Sequence, residues 1–75
     1  MNLKKEHTRL LSNLQQLQKL YGVKELARAL EITDRTWSNR MKEPWKLFSF
    51  DDFALIASYC KVDFETLVSG TLTMR

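Results

Sequence analysis

The 75-residue chain has one cysteine, one histidine, one proline and two glycines. A lone Cys60 excludes an internal disulfide and any zinc site built on cysteines. A lone His7, with no second donor at metal spacing, reads as exposed surface, so no metal or cofactor is expected. No apolar run approaches the roughly 18 residues of a membrane span, and Met1 opens no secretory signal pattern. The expectation is a cytoplasmic protein with no membrane partner. Strand-like alternation, internal repeats, low-complexity tracts and linkers are missing too. So is catalytic equipment: Ser12, Ser38, Ser49, Ser58 and Ser69 have only the distant His7 as a base, and no Gly-rich phosphate loop occurs. Neither an enzyme nor a small-molecule ligand is expected.

What is present suits one small globular domain spanning residues 1–75. Hydrophobic residues make up 44% and charged residues 28%, values that argue against disorder. A fold of this size buries only about 60–65% of the surface its unfolded chain exposes. Without a disulfide or metal staple, stability must come from helix packing or self-association. The net charge is +3, and its distribution is uneven. Residues 1–48 carry ten Lys/Arg against five acids, whereas residues 49–75 carry two against four. A basic half of this kind suits a polyanionic partner.

Helical periodicity runs nearly throughout. Leu3, Leu10, Leu14 and Leu17, with Leu11 beside them, predict an amphipathic helix over residues 3–20, stopped at Gly22 by a left-handed cap. Val23, Leu26, Ala27 and Leu30 make the next apolar stripe. Thr33 is an N-cap candidate for a helix over 34–42 with Trp37 and Met41 inward, and Asp34 suits its positive end. Pro44 closes that helix, and residues 44–49 read as a loop. Ser49 and Asp52 form a capping-box pattern before Phe50, Phe53, Ala54, Ala57 and Cys60. Asp51 and Asp52 therefore read as helix-start acids, not a catalytic pair. Asp63 caps a last helix with Phe64, Leu67 and Val68 inward, ended by Gly70, and residues 71–75 read as a frayed tail.

The stretch KELARALEITDRTWSNRMKEPW sets two short helices three residues apart. Each is marginal alone and must be held by its neighbours. So short a connection suits a pair crossing at roughly 90–120°, with Leu26, Ala27, Leu30, Ile32, Trp37 and Met41 converging on one core. The opposite side of the second helix carries Asp34, Arg35, Ser38, Asn39 and Lys42.

These residues resemble the Cro and phage-repressor (XRE-like) helix-turn-helix family. The likeness rests on KELARAL-EIT-DRTWSNRM and extends through FSFDDFALIASYCKVDFETLVSG, which looks like the family's final two helices. It covers about residues 20–70. The resemblance implies an all-α, five-helix lambda-repressor-like or Cro-like domain with its core over about 3–70. It also implies sequence-specific binding of double-stranded DNA and transcription regulation, with a phage or mobile element as the source. Its third helix would lie in the major groove. Thr33, Asp34, Arg35, Ser38 and Asn39 then face bases. Arg35 has the chemistry to pair with guanine O6 and N7, and Asn39 with adenine N6 and N7. Lys24, Lys42 and Lys46 are the phosphate contacts. Such proteins usually act as dimers, so a homodimer is expected, through residues 64–72 or the long first helix.

Two positions depart from the family's pattern. Glu31 stands where the turn usually has Gly, at a cost of about 1 kcal/mol if the residue is left-handed. Asp34 is an acid near phosphates. It can cap or favour the helix start, accept from a cytosine amine or repel wrong sequences, and the three remain open. Trp45 is equally open between covering the core edge and sitting near the DNA backbone. From other classes come a protein-interaction module and an architectural or recombination factor.

Overall fold

The Leu10-Leu14-Leu17 stripe is the buried face of a 19-residue helix, α1 (Leu3–Tyr21). The computed structural model describes the backbone of residues 3–70 and the side chains from His7 to Gly70. The inward side chain expected for Leu3 and the tail at 71–75 lie outside those described residues. Gly22 ends α1 at φ 94° and ψ 149°, and its N–H donates to Gln18 O at 2.8 Å. This is a positive-φ but extended conformation, not the left-handed cap expected. Glycine alone enters it without strain.

Next comes α2 (Val23–Ala29), with Leu26 and Ala27 fully inside. Beyond it Glu31 takes φ 57°, its N–H reaching Arg28 O at 3.0 Å and that of Ile32 reaching Ala27 O at 2.9 Å. Those two bonds, with Ile32 packed on the core, make a Schellman ending that satisfies the orphan carbonyls of α2. The same device recurs at Lys61, φ 56°, where Val62 N–H meets Ala57 O at 3.0 Å.

Helix α3 (Asp34–Arg40) starts at Thr33, whose side chain accepts the Thr36 N–H at 3.1 Å. It ends two residues before the expected 42. The N–H groups of Lys42 and Glu43 turn to carbonyls three residues back, those of Asn39 and Arg40, and so tighten the last turn. Pro44 then begins a one-turn helix, α4 (Pro44–Leu47), where a loop was expected. Its missing N–H costs nothing at the first helical position. The described residues thus hold six helices and no strand, not five.

Helix α5 (Phe50–Cys60) opens on a complete capping box between Ser49 and Asp52. Its buried face is Phe53, Ile56, Ala57 and Cys60: the expected Phe53, Ala57 and Cys60 are inside, Ile56 joins them, and Ala54 is only half-buried. Phe50, expected inward, is 70% exposed. It sits at the very start of α5, beyond the edge of the core, and packs its ring on Phe64 at 4.6 Å. Helix α6 (Phe64–Ser69) is capped by Asp63, which accepts the Thr66 N–H at 3.1 Å, and it seats Leu67 in the core.

Trp37 lies at the centre with no exposure. Phe48 packs against it at 5.2 Å and against Phe53 at 5.7 Å. The one buried polar side chain among the described residues is Asn13. Its amide donates to the carbonyls of Leu67 and Gly70, both at 3.0 Å, and more weakly to that of Thr66 at 3.4 Å. Arg9 adds a bond to Ser69 O at 3.1 Å, so α1 holds the end of α6. Among the described residues no helix is long and apolar enough to cross a membrane.

Candidate functional site

Helix α3 has two unlike sides. Trp37 drives one side into the core, and its indole N–H donates to Gln18 Oε1 of α1 at 2.8 Å. Seven residues make only about two turns, so residues four apart share a face. Arg35 and Asn39 stack opposite Trp37, with Asp34 and Ser38 flanking them. All four are exposed, and none of their side chains has a hydrogen bond or ion pair within the described residues.

The other polar groups of the helix are committed. The Thr33 hydroxyl accepts from Thr36 N–H and donates to Thr36 Oγ1 at 2.9 Å. It is therefore spent largely on starting the helix. Arg40 is half-buried and lies 3.0 Å from Asp52 of α5. Asp34 is not the cap, since Thr33 fills that place, and its carboxylate stands free at the start of α3.

The three lysines expected at phosphates are all exposed. Lys24 lies in the first turn of α2, Lys42 follows α3, and Lys46 rides on α4. Lys42 and Lys46 thus lie in and beyond the turn that leaves α3, while Lys24 comes from the preceding helix. All the sequence-expected site residues fall within residues 24–46, and α2, α3 and α4 carry or adjoin every one.

His7, expected on open surface, is instead half-buried and stacked on Trp45, with ring centroids 4.3 Å apart and planes within 4°. Trp45 is partly buried against the core, which places it at the core edge. The two rings tie α1 to α4. Nothing in the spacing of His7 and Trp45, 38 residues apart, points to that contact. The Arg40–Asp52 pair is equally illegible: Asp52 carries a visible capping signal, but its second partner comes from α3, two helices earlier.

Burial pushes the Cys60 thiol up to about 11, so it stays protonated at neutral pH and is a poor nucleophile. No three His, Cys, Asp or Glu side chains among the described residues come together to hold a metal ion. Chemically, the α3 face offers two planar multi-donor groups, a carboxylate and a hydroxyl, on a rod narrow enough for a groove. Compared with known protein families, curated proteins and solved structures, the chain matches none.

Proposed function

We propose that the chain is a sequence-specific double-stranded-DNA-binding regulator of transcription, of the Cro/repressor type. In this reading α2, the Glu31 turn and α3 form a helix-turn-helix, and α3 enters the major groove. The observation that carries it is the unpartnered face of α3. Asp34, Arg35, Ser38 and Asn39 are exposed and unsatisfied inside the molecule, while every other polar group of the helix is engaged. Water satisfies such a face in the free protein, and a partner with matching donors and acceptors can take the water's place. Arg35 and Asn39 match the hydrogen-bonding edges of guanine and adenine. Asp34 and Ser38 flank them, and Thr33 contributes its backbone and what remains of its hydroxyl. Lys24, Lys42 and Lys46 supply phosphate contacts, and the excess of basic residues before residue 49 draws the polyanion in. No catalytic step is part of this function.

A homodimer belongs to the proposal. One seven-residue helix reads few base pairs, and two half-sites supply the rest of the specificity. The exposed Phe50, whose ring packs on Phe64 at the start of α6, supports a contact between copies at that end of α6. The opposite end of α6 is engaged by Asn13 and Arg9.

Selection from a random duplex pool, followed by binding in rising salt, tests the reading. Arg35→Ala or Asn39→Ala should cost about 1–3 kcal/mol on the selected site and leave random DNA less affected. Lys42→Ala or Lys46→Ala should weaken all sequences and flatten the salt slope by about one unit each. Undiminished, equally selective binding by the Arg35 and Asn39 variants would remove α3 from the groove.

A further inference from the structure

Helix α3 carries two arginines, and charge alone would send both to the nucleic acid. Their surroundings differ. Arg35 is exposed and has no partner within the described residues. Arg40 is half-buried, with Nη1 3.0 Å from Asp52 Oδ2 and its guanidinium carbon 5.9 Å from the centre of the Phe48 ring. That same Asp52 oxygen accepts the Ser49 N–H at 3.0 Å, and Ser49 Oγ accepts the Asp52 N–H at 3.1 Å. Phe48 in turn packs on Trp37 and Phe53. Arg40 is therefore built into the cap of α5 and is not offered outward.

We propose that Arg40 is a positioning residue, which fixes the angle at which α3 presents Arg35 and Asn39. This rests on the DNA-binding reading of that face. A two-turn helix cannot hold its own direction and takes it from its fastenings. Trp37 ties the middle of α3 to Gln18 of α1, and Arg40 ties its C-terminal end to Asp52 at the start of α5. Base readout needs side chains held within about 0.5 Å and 10–20° of the productive geometry. Loosening the second fastening lets α3 tilt about the first. The bidentate contacts of Arg35 and Asn39 then lose alignment while the phosphate contacts, which tolerate movement, persist.

Two variants separate this role from a direct phosphate contact. Arg40→Met keeps the stem over Phe48 and removes the charge. Asp52→Asn keeps an acceptor for the Ser49 N–H and removes the charge that holds Arg40. Affinities for a selected site and for random duplex are measured across a salt series, at temperatures where each variant is fully folded by melting. Each variant is expected to lower the ratio of specific to random affinity about fivefold, with the combined variant no worse than either, because the pair acts as a unit. The salt slope of Arg40→Met is expected to equal that of the parent, whereas a lost phosphate contact flattens it by about one unit. Arg40→Lys should recover part of the lost ratio. In the free protein, both variants should move the amide resonances of residues 35–39.

A flattened slope at an unchanged ratio overturns the proposal, as does an Asp52→Asn protein with parental ratio and unmoved amides. Absence of saturable DNA binding by the parent overturns the DNA reading, and this proposal with it. Selective binding by the parent with insensitive Arg40 and Asp52 variants overturns the positioning role alone.

Discussion

Glu31 occupies a backbone conformation that costs most residues free energy. Its φ of 57° is left-handed, and its side chain is exposed with nothing within the described residues to offset the strain. The Schellman ending of α2 requires that conformation, since only a left-handed residue brings the Ile32 N–H back to Ala27 O. Glu31→Gly should therefore raise stability by about 1 kcal/mol, a rise in Tm of roughly 4–8 °C for a domain this small. Thermal melting followed by circular dichroism measures it, and a lower Tm would mean that the Glu31 side chain holds the turn in some other way. In the sequence Glu31 stands out only against the resembled family's pattern, which usually has Gly at that turn position, because a left-handed residue other than Gly carries no local signal of its own. The free carboxylate of Asp34 was legible only in part. Thr33 takes the cap, and Asp34 keeps the favourable place of an acid in the first turn of α3.

At the scale of elements, most helices announce themselves and the joints between them do not. Capping residues Thr33, Ser49 and Asp63 each stand at a helix start, because a cap is a local hydrogen bond within a few residues. Helix α4 was hidden because four residues are too few for a period, and Pro44 reads as a stop as readily as a first turn. Phe50 fits the stripe of α5 by spacing, yet spacing cannot say where the core ends. Asn13 is the deepest case. Lying among Leu10, Leu14 and Leu17, it looks like an interruption of an apolar face, whereas it is the clasp that secures α6. Gly70 folds back closely on the last turn of α6, where a Cβ would meet the Thr66 Cα at 2.9 Å. Asn13→Leu should destabilise the fold by about 1–3 kcal/mol through carbonyls left buried without a donor. In urea this is a lower midpoint at unchanged slope, and a midpoint at or above the parent's would show that water satisfies those carbonyls instead.

For the whole molecule, the extents of 34 × 26 × 20 Å set a useful scale. The proposed dimer has to set its two α3 helices about one turn of duplex apart, roughly 34–36 Å, a span close to the longest extent of one copy. Phe50 is 70% exposed, a large apolar group that a second copy would cover. Sedimentation of the parent at tens of micromolar (about the concentration of a weak dimer, Kd ~10⁻⁵ M) should give a dimer. Phe50→Ser should give a folded monomer with an unchanged α3 face and weaker binding to paired half-sites. A parent that sediments as a monomer with and without DNA would remove the dimer from the proposal.

The two tryptophans also equip the molecule with a pair of built-in optical probes. Trp37 is sealed from water and bonded to Gln18, so its emission belongs to a dry, rigid site and changes only when the core opens. Trp45 lies partly open beneath the His7 ring, next in the chain to Lys46, so its emission responds to events at the edge that joins α1 to α4. Replacing either one with Phe leaves a single-colour reporter, one for unfolding and the other for engagement of a partner at the surface. The protein can thus be titrated without any attached dye.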